Sequence, residues 1–244
     1  MTYTALLALT ILRDDYSRVN REAIKSHVHD LQQSDGSFLS TPGWTEHDVR
    51  FTYCAFAIAF MLNDWSILDL DKAQDYLLRC QHYEGAFAQE PGLESHAGST
   101  YCVVAALSLA QRLEVIPKRR DLERWILSRQ VPLSGFQGRV EKAPDACYSF
   151  WCGASAKILD CHAAVDAESD VNFLLSAQSS MGGIAKVPGD LPDVLHSYLA
   201  YVALSMHQHD QYLNANLPFI PVEPAINLSQ PSLEWLKKHL WLKE

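Results

Sequence analysis

Three residues of the kinds that bind transition metals stand at a spacing that can bring them together. Asp145 and Cys147 lie two residues apart, and His196 follows Cys147 by 49 residues. Three protein ligands of these types with one open position are typical of a catalytic zinc site rather than a structural one. Each residue also has an ordinary interpretation. Asp145 alone makes a good helix N-cap, Cys147 alone is a small buried side chain, and a single histidine is usually not a ligand.

Side chains that could bind a phosphate surround this set. Arg139 and Lys142 precede the Asp/Cys pair, Tyr148 follows it, and His96 stands about one repeat earlier in the chain. Two cations, an imidazole and a phenol at one place would form a good clamp for a phosphate group. Taken by themselves, Arg139 and Lys142 are equally well explained as solvated loop charges.

The elements that must position these residues come from an internal repeat. The segment Gln32–Phe38 recurs as Gln81–Phe87, and weaker copies begin at Gln130 and Gln178. The copies are 49, 50 and 48 residues apart, measured between the glycines that mark them: Gly36, Gly85, Gly135 and Gly183. A constant period of this length predicts one structural unit repeated along the chain.

Each copy contains the same order of elements. A Gly turn and a Pro-containing loop precede a small-and-aromatic helix such as Phe51–Ala57, and a polar amphipathic helix such as Lys118–Gln130 follows. The first helix is apolar nearly all round and is predicted to be buried, whereas the second has one apolar face and lies outside. Strand alternation is absent, so an all-α protein is predicted. An opening helix is expected around Thr4–Leu12.

Repeated helix pairs form either an open solenoid or a closed α/α toroid. In the toroid the buried helices make an inner ring, with their N-termini gathered at one rim. Free backbone N–H groups and the helix dipoles favour an anion there. After the last copy, an irregular segment is expected over Gln211–Pro231 and a last amphipathic helix over Ser232–Lys243.

Composition limits the class of protein. The 244 residues are 48% hydrophobic, and 20 Lys and Arg against 29 Asp and Glu give a net charge of −9. This balance argues against a nucleic-acid partner. No apolar run reaches the roughly 18 residues of a membrane span, and the start of the chain does not resemble a signal peptide. Six scattered cysteines favour reduced thiols and a cytoplasmic location. The chain is expected to form a single domain over residues 1–244.

Several of these segments resemble the β subunits of protein prenyltransferases. They are Asp145–Trp151 with the preceding Gly135–Arg139 and Lys142, Glu94–Cys102, and Pro192–His196, and the likeness runs along essentially the whole chain. The family has an α/α toroid, a catalytic zinc ion and an obligate helical α subunit. The resemblance therefore implies all three for this chain.

The resemblance also implies roles for individual residues. It makes Asp145, Cys147 and His196 the zinc ligands. It assigns the prenyl diphosphate pocket to His96, Arg139, Lys142 and Tyr148 and a place near the C-terminal end of the peptide substrate to Arg50 and Phe51. The implied reaction alkylates the cysteine thiol of a C-terminal CaaX motif, as carried by small GTPases. Zinc holds that thiol as the nucleophilic thiolate, and the cations stabilise the departing diphosphate.

Two residues indicate which member of the family the chain resembles. Lys186 follows the Gly-Gly turn where farnesyltransferase and Rab geranylgeranyltransferase have an acidic residue, and Leu195 stands where farnesyltransferase has a tyrosine. Both resemble geranylgeranyltransferase type I, as does the tail Glu223–Ser229. The resemblance implies that Lys186 takes the role of Mg²⁺ beside the diphosphate, so Mg²⁺ is not expected to be required. Farnesyltransferase and Rab geranylgeranyltransferase β subunits are the alternatives.

The number of repeats departs from the family pattern. Six helix pairs would need about 300 residues, whereas four marked copies and an opening helix are present here. The toroid is therefore expected to be incomplete at its N-terminus. One further alternative is an inactive chain that only binds the α subunit. Another is a terpene cyclase, which is disfavoured because no DxDD-type or aspartate-rich motif is present.

Overall fold

The structure, a computed structural model, describes residues 1–207 and 219–241 and is almost entirely helical within them. A two-stranded hairpin precedes the final helix, and single 3-10 turns lie at Trp65–Ile67, Leu113–Val115 and His162–Ala164. The helices are α1 Thr2–Ile11, α2 Arg21–Leu31, α3 Val49–Leu62, α4 Leu70–Arg79, α5 Ala97–Leu109, α6 Arg119–Leu127, α7 Ala146–Ile158, α8 Ala167–Ser176, α9 Val194–Met206 and α10 Gln230–His239, and the strands are β1 Val222–Glu223 and β2 Leu228–Ser229.

The odd-numbered helices α1 to α9 pack side by side in sequence order and form the inner layer. Eleven of the thirteen residues of α5 are buried, against three of the ten residues of α4 in the outer layer. A helix that is apolar all round must lie inside, and one with a single apolar face covers it. The predicted alternation of buried and amphipathic helices is confirmed.

The inner helices α3, α5, α7 and α9 begin in the same way. Each N-cap side chain, Asp48, His96, Asp145 or Asp193, accepts a hydrogen bond from a backbone N–H in the first turn of its helix. Such caps satisfy donors that the helix itself cannot use. The residues predicted to do chemistry therefore stand at helix starts, as the repeat indicated.

The marker glycines are required by close packing. Gly36 has φ +93°, and a Cβ there would lie 2.0 Å from the backbone oxygen of Lys72 on α4. Only glycine adopts this conformation at no steric cost and leaves room for the neighbouring backbone. The turn of each copy is also closed by short antiparallel bridges, such as Gln32 with Phe38 and Gln81 with Phe87.

The C-terminal part differs from the expectation. The segment predicted to be irregular contains the hairpin of β1 and β2, and α10 begins at Gln230 rather than at Ser232. Strands of two residues are too short to produce a period-two pattern, and Pro231 is tolerated because it lies in the first turn of the helix. Residues 211–218 and 242–243 of those predictions lie outside the described residues. Among the described helices, none is long and apolar enough to cross a membrane.

Candidate metal and diphosphate site

The rim of the inner layer is tied together between repeats by backbone hydrogen bonds. The first N–H of α3, α5 and α7 donates to a carbonyl in the loop of the next repeat. These bonds run from Val49 to Gln89 at 3.2 Å, from Ala97 to Gly138 at 3.0 Å and from Ala146 to Lys186 at 2.9 Å. Residues of each loop are therefore placed over the N-cap of the preceding inner helix. This contact positions most of the site.

Asp145, Cys147 and His196 converge at this rim. One potential ligand atom of each residue lies within 4.8 Å of the other two. Asp145 and Cys147 come from the start of α7 and His196 from the start of α9. Asp145 is 7% exposed and Cys147 9% exposed, and the side chain of His196 is 13% exposed, so the set is largely shielded from water. The three residues could hold a metal ion with a position left open for a further ligand.

The hydrogen bonds of His196 test whether a metal ion fits. Its Nδ1 lies 2.5 Å from Asp193 Oδ2, and a carboxylate only accepts, so Nδ1 carries the proton. In the neutral ring Nε2 is then an acceptor, and it lies 3.3 Å from Asp145 Oδ1, which is another acceptor. Two acceptors at this distance need a proton or a metal cation between them. A carboxylate behind a ligating histidine is a common feature of metal sites.

The thiol of Cys147 needs a cation if it is to act as a ligand. Burial, followed by the negative charge of Asp145, raises the pKa of Cys147 well above the usual value for a thiol. Lys186 offers a partial counter-charge, because its Nζ lies 3.7 Å from Asp145 Oδ2. A bound metal ion would reverse the balance, since a thiol that coordinates a metal is deprotonated outright.

His96 and Tyr148 form the second group at the rim. His96 Nδ1 accepts from the Gly98 N–H at 3.0 Å, so Nε2 carries the ring proton and donates to the Tyr148 hydroxyl at 3.2 Å. The proton of that hydroxyl is thus free to be donated to a ligand. Burial raises the pKa of Tyr148 to about 12, and burial together with the charge of Arg139 lowers that of His96. Both groups therefore act as neutral donors near pH 7.

The two predicted cations of this group are exposed. Arg139 Nη1 lies 3.1 Å from Glu94 Oε2, and its charge reaches His96. Lys142 is held through its backbone N–H, which donates to Gln137 Oε1 at 3.0 Å, while its side chain is exposed. Both lie in the loop that approaches the N-terminus of α5.

Arg50 is held more firmly than a free surface cation. Its Nε and Nη2 donate to the buried carboxylate of Asp48, the shorter contact being 2.6 Å. The guanidinium lies over the ring of Phe51 with Cζ 5.4 Å from its centroid, and Gln89 Nε2 donates to Asp48 at 2.8 Å. Asp48 raises the pKa of Arg50 further above its ordinary value. Gln89 was not anticipated, because its role depends on the contact between repeats.

A cavity of about 780 Å³ opens beside these groups and runs between the inner helices. Arg50, Gln89 and His96 of the rim are among its lining residues, and its walls are mostly apolar and aromatic. A volume of this size is typical of a small-molecule site. The sequence reasoning missed the tyrosines of the wall. Their signal was their recurrence at one position of the inner helices: Tyr3, Tyr53, Tyr101 and Tyr198 stand there on α1, α3, α5 and α9, and Phe150 on α7.

Comparisons with known proteins identify the family of this chain. Residues 1–228 match the family described as prenyltransferase alpha-alpha toroid domain. The chain is 43% identical over 243 residues to the geranylgeranyl transferase type-1 subunit beta of Dictyostelium discoideum, with 97% of this chain and 66% of that protein covered. It is 42% identical over 215 residues to the protein of the same name in Arabidopsis thaliana, covering 84% and 57%.

A solved structure agrees with these relatives. Candida albicans protein geranylgeranyltransferase-I complexed with GGPP superposes with a TM-score of 0.86 at 27% identity, over 98% of this chain and 73% of that one. The chain spans about two thirds of the Dictyostelium relative and less of the Arabidopsis one. The family match covers residues 1–228, and the helix-pair fold described above is consistent with it. The chain therefore belongs to the prenyltransferase α/α toroid family.

Proposed function

We propose that this chain is a β-type subunit of protein geranylgeranyltransferase type I. It transfers the geranylgeranyl group of geranylgeranyl diphosphate to the cysteine thiol of proteins ending in CaaX, as a heterodimer with an α subunit. The observation that carries the proposal is that the Asp145, Cys147 and His196 set lies at the same rim of helix starts as Arg50 and His96, which line an apolar cavity. Thiol activation and prenyl-chain binding are thereby adjacent.

The metal ion of the proposed reaction is zinc, held by Asp145, Cys147 and His196. The donor set of oxygen, sulfur and nitrogen suits zinc. When bound, zinc would keep the substrate thiol in its nucleophilic thiolate form near neutral pH. Asp193 fixes the ring of His196 through the 2.5 Å contact with Nδ1. Because Asp145 is buried, its carboxylate is held in one orientation and bulk water is excluded from it.

The diphosphate leaving group is proposed to lie against His96, Arg139, Lys142 and Tyr148. Charge develops on the leaving oxygen as the bond to C1 of the prenyl chain breaks, and donors already in place lower the free energy of that transition state. His96 positions Tyr148, and the free hydroxyl proton of Tyr148 is donated to the diphosphate. Arg139 and Lys142 supply positive charge from the exposed side.

Lys186 supports the assignment to type I. Its ammonium lies at the rim beside Asp145, where it can supply part of the charge that a divalent ion would bring to the diphosphate. Leu195 lines the cavity next to His196 and leaves more room for a twenty-carbon chain than a tyrosine would. The two relatives with type-1 names point the same way. Arg50 and Phe51 are proposed to face the C-terminal end of the peptide.

The experiment combines metal analysis with a transfer assay. The chain is co-expressed with an α subunit, its zinc content is measured, and transfer to a CaaL peptide is followed without added Mg²⁺. We expect about one zinc per heterodimer and transfer from geranylgeranyl diphosphate. Cys147→Ala and His196→Ala should lose both, whereas Cys152→Ala, a buried cysteine on the same helix, should keep both. Normal turnover of the Cys147 variant would refute the zinc assignment.

The same assay separates the alternatives. Preference for farnesyl diphosphate would identify a farnesyltransferase subunit, and transfer only to Rab proteins would identify the Rab enzyme. Zinc binding without any transfer would indicate a chain that associates with the α subunit but does not catalyse the reaction.

A further inference from the structure

A buried carboxylate joins the two inner helices that carry the residues of the metal site. Asp170, the fourth residue of α8, is 1% exposed. Ser149 in the first turn of α7 and His207 directly after the last residue of α9 are 1% and 2% exposed. Ser149 Oγ donates to Asp170 Oδ1 at 2.6 Å, and His207 Nε2 lies 3.1 Å from Asp170 Oδ2. One side chain of α8 thus contacts both α7 and α9.

Both oxygens of this carboxylate have a donor. A carboxylate only accepts, so Nε2 of His207 carries a proton and donates it to Asp170. The position of Asp170 in the first turn of α8 also suits a negative charge, because the N-terminus of a helix carries a partial positive charge. If α9 shifted along its axis, a buried acceptor and a buried donor would lose each other, at a cost in free energy. The bridge therefore favours one relative position of α7 and α9.

The two ends of α9 move together. His207 follows His196 by eleven residues, about 16 Å at a rise of 1.5 Å per residue. The helix is continuous from Val194 to Met206, so an axial displacement at its end is passed to its start. At that start His196 must meet Asp145 and Cys147 of α7. A contact far from the metal site can therefore set the distance between its members.

Apolar packing alone specifies such a register less sharply. Gly153 of α7 also faces Met206 of α9, since a Cβ at Gly153 would lie 3.1 Å from Met206 Cε. The hydrophobic effect is non-directional and a methionine side chain adapts to its surroundings, so this contact tolerates a small slide. A hydrogen bond requires a particular distance and angle. Fixing the register of packed helices is the best-attested role of a buried polar group.

We propose that Asp170 is a positioning residue that fixes the axial register of α9 against α7 and so holds His196 level with Asp145 and Cys147. This inference rests on the proposed function, because it concerns the zinc site. The potential ligand atoms of the three residues lie within 4.8 Å of one another. Bonds from zinc to nitrogen and sulfur are only about 2.0–2.3 Å long, so a slide of 1 Å would weaken them.

The test measures the zinc dissociation constant by competition with a chelator, on the chain co-expressed with an α subunit. Asp170→Asn keeps the shape of the side chain but presents one acceptor oxygen to two donors. We expect it to weaken zinc binding about tenfold, as the loss of a group that orients a metal ligand does. With Co²⁺ in place of zinc, the visible absorption bands should also change, because they report the geometry of the ligands.

A second variant separates positioning from stability. Asp170→Leu combined with His207→Leu replaces the buried pair by apolar side chains, a change that is often neutral or stabilising. Unfolding of the metal-free protein in urea should therefore show that stability is kept, whereas zinc binding should stay weakened. Normal zinc affinity of this folded double variant would overturn the proposal. Unaltered zinc affinity in Asp170→Asn would overturn it as well, even if the double variant failed to fold.

Ser155→Ala and Ser205→Ala are the matched controls on the same two helices. Both hydroxyls are buried, but each donates within its own helix, Ser155 to the Trp151 carbonyl and Ser205 to the Val202 carbonyl, at 2.7 Å in both cases. Their loss leaves the bridge intact, so zinc affinity should be kept. If zinc affinity instead fell in step with stability across the controls and the Asp170 variants, Asp170 would have no positioning role.

The outcomes for the register and for the enzyme are distinguishable. Transfer to the peptide by the unmodified chain, with unmoved zinc affinity in the variants, would refute the positioning role alone. Weakened zinc binding in variants of a chain that transfers nothing would support the positioning role and refute the enzyme. Failure of the unmodified chain to bind zinc would overturn both.

Discussion

The substitution Gly138→Ala is the sharpest test of the residues proposed to bind the diphosphate, because the added methyl group would collide with the ring of Tyr148. A Cβ at Gly138 would lie 2.1 Å from Tyr148 Cζ and 2.5 Å from its hydroxyl oxygen. No relaxation of a few tenths of an ångström removes contacts this short, so the ring must move. The Gly138 carbonyl also accepts from Ala97 at the N-terminus of α5, which prevents the loop from simply lifting away.

The expected magnitude follows from two effects. Overpacking of this kind costs ~1–3 kcal/mol of folding free energy. Displacement of the ring also breaks the 3.2 Å contact with His96. It would remove the phenol from its proposed contact with the diphosphate. A hydrogen bond to a charged group is worth ~1.5–3 kcal/mol, so affinity for geranylgeranyl diphosphate should fall about ten- to a hundredfold.

Urea unfolding and ligand titration measure the two effects separately. Adding Tyr148→Ala to Gly138→Ala removes the clash, so stability should partly return while diphosphate affinity stays low. Gly153→Ala is the control, because its Cβ would meet only the flexible end of Met206 at 3.1 Å. If Gly138→Ala bound geranylgeranyl diphosphate as tightly as the unmodified chain and were equally stable, the placement of Tyr148 would be refuted. The proposed set of diphosphate-binding residues would then be refuted with it.

Three further predictions concern charge. Lys186→Asp should make transfer dependent on added Mg²⁺; an unchanged metal requirement would remove the argument for type I. Arg139→Ala should weaken diphosphate binding more than peptide binding, measured as separate dissociation constants, and equal losses would contradict its role. Burial, followed by Lys157 and His207, lowers the pKa of His162 to about 3, against 6.5 in the unfolded chain. As the pH falls, the unfolded chain therefore takes up this proton at a higher pH than the folded chain does. The contribution of His162 to the free energy of unfolding is complete above pH 6.5 and is lost as the pH falls toward 3. His162→Gln should flatten that decline in thermal unfolding, and an unaltered profile would assign it to other groups.

The repeat made much of the site predictable. Because each copy begins an inner helix at the same rim, a spacing of 49 residues between Cys147 and His196 means neighbouring helix starts. Local chemistry was readable as well, since Asp145 caps α7 as its residue type favours. The all-α architecture with buried and amphipathic helices in alternation followed from hydrophobic periodicity alone.

Contacts between repeats were not predictable in the same way. The hydrogen bond of Gln89 to Asp48 and the approach of Lys186 to Asp145 depend on a loop crossing the preceding helix start. Neither contact has a local sequence signal, because the equivalent loop position is Gln89 in one repeat, Gly138 in the next and Lys186 in the one after. The family resemblance implied a role for Lys186, but only the packing shows which carboxylate it faces.

By itself, the sequence determined the repeated helix pair, the rim and the identity of the groups at that rim, because these depend on periodicity and on residue type. Only the tertiary structure decided the shape of the cavity and which side chains line it. The turn at Ala225 meets Tyr53 across 172 residues and Tyr101 meets Pro224 across 123. Hydrogen bonds over such separations are set by how the inner helices pack, and packing is a property of the assembled core rather than of any segment of the chain.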